Sequence, residues 1–513
     1  MSRSSTSLNA EPAAGDEARG LIAMMLEQHE VGVRDVLGRY DRASAAAAWH
    51  EVLRGVEEFL NVVWFGLPKG PDRSWLLDCP LGGVILTDRT RMTRLLEIVG
   101  RGHDQGVVRR FRRTVVQLAE ADRVFRERGI RPSGLPNGID TIGAGEIYLQ
   151  SRRRHFVSLF YAMPGHCTGS DVLDVVLAFP TLACIVEHSC ATITGLHRNR
   201  LLMEVYPDFT LTLTPNGYLG SHSFEELEAN FLEAERAPIV AMAEQRPDMI
   251  APFRRETCPA TEVFSAQELR NNVRALGAAY AAFGDDAGFA AMAKIIVALS
   301  RRCEDNYFVR LARTELEAIV SNQSVLQLAK VMDWLVAKPG SYAEQTNRHH
   351  PFVEVDGQLV GNVVLLSRFL DAFKNLHLAG RRRFAIHSGF IFEDIVKRDL
   401  AAMGFDVKPI KRINRREFDV VATLGDTIYN LQCKNNAFDL SEIEANPRRV
   451  AAANRRLVAY YRRALRKERE RQGILQAELG LSKIRHYVVS RFPVLTDNPA
   501  IVPFNALARL LPA

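Results

Sequence analysis

Residues 418 to 434 read FDVVATLGDTIYNLQCK, two runs rich in β-branched and aromatic residues joined by Gly425 and Asp426. That pattern predicts a tight antiparallel hairpin. Side chains alternate across a strand, so Tyr429, Leu431 and Cys433 share one face while Asn430, Gln432 and Lys434 share the other. On the partner strand Phe418, Val420 and Ala422 point one way, and Asp419 and Val421 the other. The hairpin therefore sets Asp419 beside Gln432 and Lys434. A carboxylate, an amide oxygen and an ammonium meet at one end of a small, otherwise apolar sheet.

The neighbouring segments give the hairpin a context. HSGFIFEDIVKRDLAAMGF (387–405) has helical spacing, with Phe390, Ile391, Ile395, Leu400 and Met403 facing inward and Gly404 where a C-terminal cap belongs. Glu393 sits among Phe390, Phe392 and Ile395, which hold it near the sheet. DVKPI (406–410) reads as a short strand, and a long helix runs from about Pro447 to Gln472. IRHYVVSRF (484–492) reads as a fourth strand and NALARLL (505–511) as a closing helix. Without that last helix the order is α-β-β-β-α-β.

Between Arg448 and Arg471 there are ten basic residues against two acids. An apolar stripe of Val450, Ala453, Leu457, Tyr461 and Ala464 leaves Arg448, Arg455, Arg462, Arg466 and Arg469 away from it. These arginines suit backbone phosphates, which give affinity rather than sequence choice. The charge of the whole chain agrees. From Arg381 onward there are 25 lysines and arginines against 14 acids, and before it 41 against 46. The net charge of +6 thus comes wholly from the last quarter, which makes a phosphate-bearing partner the natural inference.

Over roughly residues 380 to 513 this constellation resembles the PD-(D/E)XK nuclease superfamily, whose core has the αβββαβ order. The resemblance implies that Glu393 is the helix acid, Asp419 the second-strand acid, and Gln432 with Lys434 the third-strand pair. The Gln-x-Lys form departs from the commoner Asp/Glu-x-Lys and is similar to that of Mrr-like restriction endonucleases. The QxxxY signature of the RecB-like branch is not visible. The resemblance implies a metal-dependent hydrolase of nucleic-acid phosphodiester bonds, DNA ahead of RNA and endonuclease ahead of exonuclease, with a role in restriction or defence. Glu393, Asp419 and Gln432 would hold Mg²⁺, with Mn²⁺ as an alternative, and Lys434 would orient water or stabilise developing charge. Because Gln432 is neutral, only two formal negative charges hold metal, which favours a single ion. The competing reading is a nuclease-fold protein that has lost catalysis and binds nucleic acid through the same basic surface. Cutting both strands of a duplex would favour paired sites, hence a homo-oligomer.

The first 340 residues are less informative. A chain of 513 residues with 47% apolar and 25% charged residues is expected to form two to four soluble domains. The expectation is an α+β multidomain protein. A disordered tail (1–20) precedes a mainly helical region (21–345), a hairpin-helix connector (346–379) and the restriction-endonuclease-like core (380–513). Residues 21–65 read as helix, GVILT (83–87) and RHFVSLFYAM (154–163) as strands, and TLTLTPNGYLG (210–220) as strands around an Asn-Gly turn. Ser223 and Glu226 have capping-box spacing at the start of a helix. The glycines of RPSGLPNGIDTIGAGEIY lack the GKS or GKT ending of a phosphate loop. His166, Cys167, Cys184, His188, Cys190 and His197 match no paired-ligand spacing, and most of them lie on one apolar helical stretch. Seven cysteines without a CxxC pair fit reduced thiols and a cytoplasmic location. No leader pattern and no run near eighteen apolar residues is visible, so no membrane span is expected.

Overall fold

The computed structural model describes residues 11–511 except 68–69, 82–86, 215–216, 224–254, 259–260, 282–286, 324, 347, 379–381, 437–441 and 492–493. It is a mixed α+β architecture, with several small sheets and no closed barrel among the described residues. The strand expected at 83–87 and the helix expected after Ser223 lie almost wholly outside the described residues.

The N-terminal layer is built from long helices, among them Gly15–Leu37, Arg42–Asn61, Gln105–Arg128 and Ile142–His166. Trp49, Phe59, Phe111, Tyr148, Phe156 and Phe179 are fully buried between them. Three expectations are amended in this layer. Of the supposed tail, residues 15–20 begin the first helix, and Ala13 and Ala18 are core residues. The stretch read as helix over 21–65 is helical but broken, because Asp41 caps a new helix through the Ser44 N–H at 2.8 Å. RHFVSLFYAM is the C-terminal half of helix Ile142–His166 rather than a strand. His155 to Met163 are buried on every side, so the run carries no helical period to read.

Among the described residues one helical run, Val175–Val205, is long and apolar enough to cross a membrane by length and composition. Within it, 61% of the qualifying window is buried inside the fold. It contains a π-helical turn at Val186–Cys190, and two of the grouped cysteines, Cys184 and Cys190, are buried there as free thiols.

A second layer joins helices Ala266–Ala281, Ala287–Ser300 and Val363–Leu378 to a four-stranded sheet. The segment 346–379 is built into this layer. Strand Gln358–Asn362 pairs with both Phe308–Ala312 and Phe352–Val355, and Phe289, Ile296, Val309, Leu359 and Phe369 share one apolar cluster. The Asp356-Gly357 turn has positive φ at both residues, as a tight hairpin of that sequence requires.

The C-terminal layer carries a five-stranded sheet in the order 501–503, 483–490, 427–434, 420–424, 406–408. The hairpin register pairs Val420 with Leu431 and Leu424 with Thr427, and Gly425 takes φ 59° at the turn. Strand Lys483–Ser490 runs parallel to Thr427–Lys434 after a helical crossover, Pro447–Glu470 followed by Gln472–Leu479. Helix Arg382–Ala402 covers one face through Phe392, Val396 and Leu400, against Val420, Ala422, Tyr429 and Leu431. Helix Pro447–Glu470 covers the other through Val458, Tyr461 and Leu465, against Val488 and Ile501. Two small elements went unread in the sequence: strand Ile501–Pro503, and a hairpin of Arg412–Ile413 with Arg416–Glu417. The closing helix is a 3-10 helix over Phe504–Leu510.

Candidate acid and lysine site

The two faces of the hairpin fix which side chains can meet. Tyr429, Leu431 and Cys433 point toward helix Arg382–Ala402; Asn430, Gln432 and Lys434 point toward helix Pro447–Glu470. Asp419 precedes the first hydrogen-bonded residue of its strand, at the same end as Gln432, and mediates between the two faces. Its Oδ2 accepts the Cys433 N–H at 2.9 Å. Its carboxyl is pushed up by burial, an effect opposed by the Lys434 charge, the Cys433 N–H and the Gln432 amide.

Glu393 comes from the other side. It is half-buried, and its carboxyl is raised from its ordinary 4.5 to about 7, first by burial and next by the charge of Asp419. Both acids also raise the half-buried Cys433 thiol, after desolvation itself. The two carboxyls therefore share one electrostatic environment at the strand ends. Among the described residues no hydrogen bond or ion pair joins Glu393 to Gln432 or Lys434, so Asp419 is the link. Lys434 Nζ donates to Gln432 Oε1 at 2.9 Å and lies 5.7 Å from the ring centre of Tyr460.

Among the described residues no group of three His, Cys, Asp or Glu could hold a metal ion. A hard divalent cation nevertheless fits the donor chemistry: two carboxyls raised chiefly by burial, with an amide oxygen alongside Asp419. The His and Cys residues of 166–197 form no such group either.

The basic helix sits differently from its sequence expectation. Its buried line is Val450, Asn454, Val458, Tyr461, Leu465 and Glu468, so Ala453, Leu457 and Ala464 lie on its half-buried flank. The expected stripe admitted only apolar residues, whereas Asn454 and Glu468 are buried with partners. Asn454 bonds both backbone groups of Leu495 at 2.8 Å, and Glu468 Oε2 accepts from Asn430 Nδ2 at 2.8 Å and from Arg471 Nε at 2.9 Å. The five expected arginines are all exposed. Arg448 pairs with Glu204 Oε1 at 3.4 Å, Arg455 donates to the Glu204 carbonyl at 3.2 Å, and Arg462 pairs with Asp497. The start of that flank, Arg448 and Arg455, is turned toward the N-terminal layer. Tyr460, the residue of this helix that touches Lys434, lies instead on a line with Arg456, Arg463 and Lys467.

Phe390 is also corrected: it was expected to face the core and is 58% exposed. The inner line of its helix is Phe392, Val396 and Leu400, so position 390 falls on the Glu393 stripe.

Sequence reasoning missed the contacts of five side chains near the site. Tyr460 backs Lys434, and Glu468 adds a negative charge that also raises Asp419. Tyr461 Oη and Ser490 Oγ share a hydrogen bond of 3.2 Å. Arg491 donates its backbone N–H to the Lys434 carbonyl at 2.9 Å and its Nη1 to Asn435 Oδ1 at 2.9 Å, so a buried cation flanks the lysine. The only advance signal was spacing: Tyr460 has basic residues four before and three after it.

No protein-family model, curated protein or solved structure matches the chain.

Proposed function

We propose that the C-terminal layer is a PD-(D/E)XK-like nuclease core that hydrolyses DNA phosphodiester bonds with the help of a divalent cation. The observation that supports this reading is Asp419 at the sheet end, whose charge acts on Glu393 and which interacts with Gln432 and Lys434, with the basic helix alongside. Glu393, Asp419 and the Gln432 amide are the residues that would hold Mg²⁺ or Mn²⁺. A bound ion of that kind supplies a more acidic water and polarises the phosphoryl oxygens.

The chain's own residues have separable parts to play. Asp419 is fixed by the Cys433 N–H, so its carboxylate keeps one orientation as ligands come and go. Lys434 is held between Gln432 Oε1 and the Tyr460 ring, which keeps its ammonium beside Asp419, where charge develops on a phosphate. Glu393, whose carboxyl is raised to about 7 without a cation, ionises more readily when a positive charge enters. The exposed cations of helix Pro447–Glu470 would bind backbone phosphates without reading bases.

A second reading also has a specific observation in its favour. Position 432 is a neutral amide whose oxygen is already taken by Lys434, which suits a nuclease fold that binds without cutting. The two separate on supercoiled plasmid incubated with Mg²⁺, with Mn²⁺ and with chelator, using the wild type, Asp419→Ala and Lys434→Ala. Metal-dependent nicking lost in both variants supports the enzyme. Retarded but intact DNA in every lane removes it and leaves the binder.

A further inference from the structure

The side of the basic helix that meets the site is not a uniform run of charge. Arg456, Tyr460, Arg463 and Lys467 are spaced four, three and four residues apart, which aligns them on one helical face. All four are exposed, and none of the three cations is in an ion pair among the described residues. Tyr460 is 43% exposed at the centre of this line, with Lys434 Nζ 5.7 Å from its ring centre. Across the acid pair, the helix that bears Glu393 offers a second apolar wall. Ile386, Phe390, Glu393 and Lys397 share a stripe, and Ile386 and Phe390 are 48% and 58% exposed. The helices on the two faces of the sheet thus each expose an aromatic side chain, Tyr460 set among cations on one and Phe390 on the other.

The two helices face a continuous duplex and a single strand unequally. In a duplex the base faces are stacked on one another, and a protruding ring finds only sugar and phosphate. An unpaired strand offers base faces flanked by phosphates, and the line presents one ring with cations before and after it. Stacking of a base on an aromatic side chain tolerates any sequence, and neighbouring basic residues hold the backbone. Resting on the nuclease reading above, we infer that Tyr460 is a stacking platform for an unpaired base, and that the site takes single-stranded or frayed DNA in preference to intact duplex. Arg456, Arg463 and Lys467 are the backbone clamp on either side of that base. Lys434, beneath the ring, is then directed to the phosphate adjoining the stacked nucleotide.

The test measures binding in chelator, so that no cleavage is required. An oligonucleotide carrying 2-aminopurine is used single-stranded and as a blunt duplex, with wild type, Tyr460→Ala, Tyr460→Trp and Tyr460→Leu. Stacking predicts quenched fluorescence with the wild type and with Tyr460→Trp. It predicts roughly 5- to 100-fold weaker single-strand binding by Tyr460→Ala and Tyr460→Leu, and less than a twofold change on the duplex. Tyr460→Leu keeps apolar bulk beneath Lys434, so its failure would mark the ring face rather than support of the lysine. Equal losses on both substrates, or full single-strand affinity in Tyr460→Ala, would overturn the inference. The fate of the nuclease reading is read separately, from Mg²⁺- or Mn²⁺-dependent cleavage of the same single-stranded oligonucleotide by the wild type and Tyr460→Ala. Quenching without cleavage leaves the platform and removes the nuclease; cleavage indifferent to Tyr460 does the reverse.

Discussion

The acid pair has a consequence for stability that can be measured without any substrate. Glu393 has its carboxyl raised from 4.5 to about 7 in the fold, by burial and by Asp419. A shift of that size corresponds to about 3 kcal/mol. Because Glu393 is only half-buried, solvent screening reduces the figure to about 1–2 kcal/mol. The folded value lies above the unfolded one, so the contribution is fully present below pH 4.5 and is lost as pH rises to about 7. In chelator, the local stability of this layer should therefore fall across pH 4.5–7 in the wild type. It should stay flat over that window, relative to the wild type, in Glu393→Gln. Hydrogen exchange of the strand 427–434 amides, corrected for intrinsic rate, reads the relevant opening energy. Asp419→Asn should flatten the slope in part, because Asp419 is the largest charge acting on Glu393. Mg²⁺ should restore protection at pH 8 in the wild type and much less in Glu393→Gln. Parallel wild-type and Glu393→Gln profiles from pH 5 to 8 would refute the shared environment of the two acids, and the proposed cation site with it.

Other predictions concern the helical layers and the basic helix. Glu57 is buried with Arg153 and Arg368 at 2.7 and 2.8 Å; Glu57→Gln leaves two cations without their counter-charge and should cost about 3–5 kcal/mol by urea unfolding followed through tryptophan fluorescence. His50 is fully buried, with Nε2 2.9 Å from Asn362 Nδ2 and its pKa lowered from 6.5 to about 3, chiefly by burial. Its depressed value means stability present above pH 6.5 and lost progressively as pH falls toward 3. The gap between wild type and His50→Gln should therefore shrink by about 2 kcal/mol between pH 7.5 and pH 5; an unchanged gap would contradict the burial argument. For nucleic-acid binding, Arg456→Ala with Arg463→Ala should flatten the salt dependence on single strands by a slope of about 1.4. Arg448→Ala with Arg455→Ala, facing Glu204, should change it far less.

How much of the fold was legible in the sequence depends on what enforces each feature. The 420–434 hairpin was readable almost residue by residue, because strand period and a Gly-Asp turn act locally and burial on both faces forbids a slip of register. Asp419 beside Gln432 came out of the same alternation. The helix 154–163 was not readable, because complete burial erases the contrast between faces on which periodicity depends. Phe390 misled for the opposite reason. An apolar residue in a helical pattern is read as inward, and nothing local marks one left in water beside a charged site.

The arginines expose the same limit more sharply. Composition makes helix Pro447–Glu470 basic, and an apolar stripe shows roughly which side is buried. Choosing among the remaining directions needs the partner surfaces: Glu204 and Asp497 on one flank, Lys434 on another. Two arginine lines about a third of a turn apart are equivalent by charge and composition. Tertiary packing makes them unequal, because one line is turned toward acidic groups of the same chain. Net charge thus predicts that a polyanion will be attracted to this layer, while on the proposal above the tyrosine between the cations would set where along the helix it engages.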